Sequence, residues 1–220
     1  MRRKLLLFFT ISVVMAAVMF GITKKQTYTD LVEQGNYLEQ LRIAELTENI
    51  AENQCVAMQQ RLSDAAIILR VEVIGEIEHL FQVDRQKVVI QKVYVGNGLE
   101  RGEEIYLFSD HWQLILDGNT DSLERGFVNI MNIGTEYLIF ADVVVENCED
   151  GFLSVKLCDD FNIVPVFSYE EQKNVVVPIT DDTTYVSYKD VMYNEFFVAS
   201  EEALQIVEQL KFQMLLLYPR

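Results

Sequence analysis

IILRVEVIGEIEH, residues 67–79, alternates apolar and polar side chains, with Leu69, Val71, Val73 and Ile77 on one side. Successive side chains of an extended chain point to opposite faces, so this period of two predicts a half-buried strand. KVVIQKVYVG (87–96) repeats the pattern with Val89, Gln91, Val93 and Val95 on one face, and Gly96-Asn97-Gly98 turns the chain. EEIYLFS (103–109), introduced by Arg101-Gly102, reads as a third strand. Residues 127–130 read as a short strand leading to Ile133-Gly134, and EYLIFADVVVEN (136–147) as a long one. FLSVKL (152–157) returns from a turn at Asp150-Gly151. Strands at this spacing, joined by glycine turns, predict a small antiparallel barrel or sandwich. The expected fold class is α+β, mainly β.

Helical patterns flank the strands. TDLVEQGNYLEQLRIAELTENIAENQ (29–54) is rich in Glu, Leu, Gln and Ala, which predicts a helix over residues 28–62 capped by Thr29 or Asp30. Ile43, Leu46 and Ile50 would form its apolar stripe, and Gly35-Asn36 would interrupt it early. A linker helix packed on the domain fits this pattern; a dimerising stalk is the alternative. SEEALQIVEQLKF (200–212) is a second helix, capped by Ser200, with two carboxylates in its first turn where the helix dipole favours them. Its inner stripe is Ala203, Leu204, Val207, Leu210 and Leu215. Between them, Pro165 and Pro178 interrupt IVPVF and VVVPI, which read as edge strands, and residues 187–195 as a short helix or turn.

The N-terminus carries an address. Arg2, Arg3 and Lys4 precede an uncharged stretch that begins at Leu5 and ends at Ile22, closed by Lys24 and Lys25. Eighteen helical residues span roughly 27 Å, enough for a bilayer core. A retained single-pass anchor competes with a cleaved signal peptide, whose best small-residue site is Gly21-Ile22-Thr23. The expected organisation is an anchor over residues 1–25, a membrane-proximal helix over 26–62 and an extracytoplasmic domain over 63–220. The N-terminus would be cytoplasmic and the domain outside the cell membrane, or secreted if the segment is cleaved.

The chain has 34 acidic and 18 basic residues, a formal charge of −16 over 220 residues. Residues 26–220 alone carry −21, because all five basic residues of the first 25 lie in the anchor region. Such acidity argues against nucleic acid and against docking on anionic head groups. Cys55, Cys148 and Cys158 are too few for a disulfide framework. A two-residue turn at Asp150-Gly151 would set Cys148 opposite Leu153. Cys158 would then lie about 17 Å further along the strand, beyond disulfide reach.

The strand 67–79, then VVIQKVYVGNGLERGEEIYLF (88–108) and IGTEYLIFADV (133–143), resemble the membrane-anchored or secreted OB-type domains of Gram-positive bacteria. These domains are grouped as similar to tissue inhibitors of metalloproteinases and netrin modules. The resemblance spans residues 65–145 and implies an OB-like barrel. Inhibitors of that group chelate the enzyme's zinc through a free N-terminal cysteine, and this chain has none near its start.

Chemistry-bearing motifs are sparse. His79 and His111 are the two histidines, without HExxH or CxxC, and no GxSxG occurs. Asp159-Asp160 and Asp181-Asp182 read as solvated loops, and Asp117-Gly118-Asn119-Thr120-Asp121 lacks calcium-loop spacing. The sequence implies no metal, cofactor or catalytic residue. His111-Trp112, in a long loop over residues 110–126, is the candidate binding pair, because tryptophan is enriched at binding hot spots. The alternative is Trp112 as a core plug beneath its own loop. Tyr185, Tyr188 and Tyr193 form a second aromatic group, expected to pack on the barrel. The leading expectation is a membrane-tethered interaction module that binds a protein or envelope component without catalysis. A cell-surface protease inhibitor or regulator is the alternative, and a hydrolase using a carboxylate or His79 and His111 is the third.

Overall fold

The protein is represented by a computed structural model that describes residues 13–15, 17–19, 37–80, 83–116, 121–146, 151–177 and 185–220. In a first unit, Met1–Tyr37, residues 13–15 and 17–19 are helical and exposed. Among the described residues no helix is long and apolar enough to cross a membrane. The rest of the expected anchor, and residues 26–36 of the expected linker helix, lie outside the described residues.

The second unit is Leu38–Arg220. Its strands are β1 (Arg42–Ala44), β2 (Ile67–His79), β3 (Asp84–Val95), β4 (Glu104–Phe108), β5 (Gln113–Ile115), β6 (Ser122–Glu124), β7 (Glu136–Glu146), β8 (Leu153–Leu157), β9 (Val166–Ser168) and β10 (Tyr185–Ser187). Its α-helices are α1 (Glu48–Arg61), α2 (Tyr188–Val191) and α3 (Glu201–Leu217). The fold is α+β and mainly β, built on two mixed sheets.

Five strands make a near-closed ring. β2 pairs antiparallel with both β3 and β7, β3 with β4, and β7 with β8. The remaining contact, β4 with β8, is parallel. This corrects the expectation of an all-antiparallel barrel, and the reason is parity. Alternating directions return to their start only with an even number of strands, so a ring of five needs one parallel pair. β2 serves two neighbours by bending: its register with β3 shifts at three places along its 13 residues.

The ring encloses Val71, Val73, Val88, Ile90, Ile105, Leu107, Val155 and Leu157, all fully buried. In β3 the buried parity is thus 86, 88 and 90, whereas Val89, Gln91 and Val93 are half-buried and Val95 is exposed. Residues 88–90 are apolar at both parities, so pairing with β2 and β4 decides which faces inward.

Several local expectations are displaced by tertiary pairing. Residues 42–44 form β1 instead of helix, because their backbone groups are bonded to β10 and β6. The helix starts at Glu48, and its buried face is Ala51, Cys55 and Met58, with Ile50 outward. The loop 110–126 contains the hairpin β5–β6. Residues 127–130 are not a strand; Val128 makes a single bridge to Phe196. IVPVF supplies β9, but residues 175–177 are irregular. Leu153 pairs with Glu146, so the β7–β8 register differs by two residues from a turn at Asp150-Gly151. Residues 147–150, Cys148 among them, and 178–184 lie outside the described residues. Cys55 and Cys158 are buried free thiols, and Cys158 donates to Asp142 Oδ1 at 2.9 Å.

Helix α3 packs against α1 and contributes Ala203, Leu204, Val207, Leu210 and Met214 to the core, while Leu215 is half-buried. Ser200 Oγ accepts from Ala203 N at 3.1 Å, the expected cap. Lys211 Nζ meets buried Glu195 at 2.5 Å, and Glu195 also accepts from Ser168 N at 2.8 Å. The irregular stretches 169–177 and 192–199 are fixed by asparagine side chains, which donate and accept at once and so replace missing ladder bonds. Asn129 donates to the carbonyls of Met192 and Asn194 at 2.9 and 2.6 Å. It accepts from Ile130 N and from Tyr188 Oη at 2.8 and 2.9 Å.

Removing such a group strands buried partners. Asn129→Ala is expected to cost about 3 kcal/mol in denaturant unfolding. Asn53→Ala, which removes bonds only within exposed α1, should stay within roughly 0.5 kcal/mol.

Candidate functional site

The smaller sheet has the order β10-β1-β6-β5, with β1 parallel to β6 and antiparallel to β10. Residues from all four strands line a cleft of about 470 Å³. Tyr185 comes from β10, Ile43 and Ala44 from β1, Leu123 and Glu124 from β6, and Gln113 and Ile115 from β5. His111, Asn162 and the turn Arg125-Gly126-Phe127 complete the lining.

The turn is under constraint. Gly126 and Phe127 have φ of 57° and 61°, two successive residues in the left-handed region. Phe127 is the one non-glycine residue there among the described residues. Gly126 is required twice over, since a Cβ would lie 2.4 Å from Val164 Cγ2 and 3.2 Å from His111 Cβ. Flanking bonds hold the strained pair: Val164 N donates to Gly126 O at 3.0 Å, and Phe197 N to Phe127 O at 3.0 Å.

The expected pair His111-Trp112 is divided by the fold. His111 is half-buried in the lining, its backbone N donating to Ser109 Oγ at 3.1 Å. Trp112 is 0% exposed and belongs to the core, so it presents no surface for a partner. The arrangement is that of a plug beneath its own loop. The guanidinium of Arg125, 1% exposed, stacks on the indole with Cζ 4.0 Å from the ring centroid. His79 is not in the cleft; its Nδ1 lies 2.7 Å from Oδ1 of buried Asp84. The tyrosines also separate: Tyr185 lines the cleft, Tyr188 is buried, and Tyr193 is 82% exposed.

Within the cleft, Tyr185 Oη donates to Glu124 Oε1 at 3.1 Å. Burial, then the Glu124 charge, pushes the Tyr185 phenol above its ordinary range. Arg42 crosses the rim, donating to Tyr185 O at 2.9 Å. Two buried charges lie beside the cleft. Burial pulls Arg125 down to about 10, opposed by the fields of Asp84 and Tyr188. Glu45, directly after β1, has no hydrogen-bond partner among the described residues for either carboxylate oxygen, and burial raises it to about 7.

Gln113, Glu124, Gly126 and Asn162 carried no signal in the sequence beyond a polar loop; Gly126 stood only as its end. Among the described residues, no three His, Cys, Asp or Glu side chains are placed to hold a metal ion. Of the calcium-like run, residues 117–120 lie outside the described residues.

Glu45 makes stability depend on pH. An unfolded carboxyl titrates near 4.5 and the folded one near 7, so between these values the folded state keeps a proton that the unfolded state has released. Stability therefore falls as pH rises through this window, and the loss is complete above it. Glu45→Gln should raise stability at pH 8 by up to about 3 kcal/mol and leave it unchanged at pH 4, as read from urea midpoints. No protein-family model matches this sequence, and a comparison with curated proteins finds no match.

Proposed function

We propose that the chain is a membrane-tethered, extracytoplasmic interaction module, and that its five-strand ring is an OB-type barrel. Its work is to bind a protein or envelope component in the cleft of the smaller sheet, without catalysis. The uncharged stretch over residues 5–22 supports the tether. The ring topology supports the barrel type: the first strand pairs with the second and the fourth, and the third runs parallel to the fifth.

The composition of the cleft carries the binding reading. It combines apolar walls with amide, imidazole and carboxylate groups, as recognition sites do. Among the described residues its lining has no serine, threonine, cysteine or lysine, and the one hydroxyl there, of Tyr185, is engaged with Glu124. Ile115 and Leu116, on the strand edge beside it, are exposed. The usual ligand face of an OB barrel, its second and third strands, is here covered by its own charge pairs. Arg85 binds Glu78 at 2.8 Å and lies 3.7 Å over Tyr106. Lys87 binds Glu104 at 2.7 Å and lies 4.1 Å over Phe152. Opening that layer would cost interactions that the cleft does not require.

Photo-crosslinking in intact cells checks this reading. A photoreactive residue at Gln113 or Ile115 should capture one dominant partner, whereas the same residue at exposed Lys92 should not. Ile115→Asp should weaken capture from a neighbouring position at least tenfold. Equal capture at Lys92 would remove the cleft from consideration. Turnover of a peptide, ester, phosphate or glycan substrate by the purified chain, abolished by one point substitution, would overturn the non-catalytic reading.

A further inference from the structure

We propose that the partner enters the cleft as an extended, neutral-to-basic polypeptide segment that adds to the smaller sheet as a strand along the outer edge of β5. This deepens the binding reading of the cleft and rests on it.

The backbone specifies the occupant. β5 is the last strand in the order β10-β1-β6-β5 and pairs with β6 alone. Among the described residues, no backbone group of residues 113–116 makes a hydrogen bond outside that pairing. Alternate N–H and C=O groups of a strand point away from its paired neighbour, so the outer edge of β5 offers donors and acceptors at strand spacing. The ligand complementary to such an edge is another extended backbone. Proteins commonly blunt an edge with a lysine, a proline, a bulge or a covering segment. Gln113-Leu114-Ile115-Leu116 has no charge and no proline, and its register with β6 is unbroken. Ile115 and Leu116 are 38% and 49% exposed. The edge strand β9 of the larger sheet is managed differently: its three residues are fully buried, and Ser168 N is held by Glu195.

The cleft sets the orientation and the charge. Gln113 and Ile115, two residues apart, share one face of β5 and line the cleft with Glu124 and Tyr185. An added strand therefore turns every second side chain over the cleft, where an apolar one meets Ile115. Residues 109–126 contain Asp110, Asp117, Asp121 and Glu124 against His111 and one arginine, Arg125, which is buried. Of the nearby cations, Lys156 is paired with Asp110 and Asp159, and Arg42 lies two strands inward on the Tyr185 carbonyl. An acidic segment is repelled at this edge, and a basic one is drawn to it.

The test selects binders from a library of random dodecapeptides on the purified full chain in mild detergent. The strongest binder is then made with N-methyl groups on alternate amide nitrogens. The expected winner alternates apolar and polar residues and is neutral or basic. Methylation of one alternate set removes the N–H groups that meet β5 and should weaken binding at least tenfold. Methylation of the other set should leave binding within threefold. Amide exchange at residues 113–116 should slow at least tenfold in the complex. Ile115→Lys should weaken binding at least tenfold with unchanged circular dichroism, and Tyr193→Lys, at an exposed position elsewhere, should not. Binding that Ile115→Lys weakens, but that responds alike to both methylation sets and leaves exchange at 113–116 unchanged, would overturn strand addition and keep the cleft. Binders indifferent to Ile115→Lys would remove the cleft as well. Selection of acidic peptides, or of none, would overturn the proposed partner chemistry.

Discussion

Ring closure with an odd number of strands governs this molecule. Given the pairings, β2, β4 and β8 run one way and β3 and β7 the other. β4 therefore ends, and β7 begins, at the same end of the ring, separated by the slot that β8 later fills. The connection over residues 109–135 must span that slot without leaving that end. A bare loop of this length would have to satisfy many backbone groups in water or with side chains. The chain instead folds the connection into a hairpin, seats Trp112 and Arg125 beneath it, and lends β6 to a second sheet. The cleft is thus a by-product of how the ring closes.

The second sheet is short but well tied. β1, β5, β6 and β10 have three residues each, too few to be stable alone. They are held by what surrounds them: Leu46 bonds to both Phe197 and Ala199, and Tyr188 N bonds to Leu41 O. The asparagines at 129, 174 and 194 bind the neighbouring irregular chain from both sides. At the far end, Tyr94 and Tyr169 hydrogen-bond to each other at 3.1 Å, and Tyr169 holds the carbonyl of Tyr218 at 2.7 Å. The same architecture leaves the side chains of Glu45 and Arg125 buried without hydrogen-bond partners among the described residues, which is a local cost of assembling a sheet from distant pieces.

What could be read from the residues depended on how locally each feature is encoded. β2, β4, β7, β8 and α3 were legible because their periodicity, glycine turns or caps lie within the segment itself. β1 was not, because IAELTEN carries helix-forming residues and only its partners at 122–123 and 185–187 make residues 42–44 extended. The inward face of β3 was hidden because Val88, Val89 and Ile90 are equally apolar. His111 was singled out for standing beside a tryptophan, and it does line the cleft. Trp112 was offered because tryptophan is enriched at hot spots, with a core plug as the alternative; the apolar neighbours around an indole decide its burial, and those neighbours come from the whole chain. Glu124 returns to His111 through the local hairpin β5–β6, but Tyr185 joins them only through the pairings of β1 with β6 and β10, strands far apart in sequence.

That last property has a consequence in time. Arg42 is paired with both Ser122 and Ser187, so β1 waits for partners 80 and 145 residues later. During synthesis β1 emerges early and its second neighbour near the end, whereas β2 and β3 can pair as soon as they appear. The closing of such long loops is entropically costly and late. The cleft then becomes complete only after nearly the whole chain has folded, and its presence reports on the integrity of everything before it.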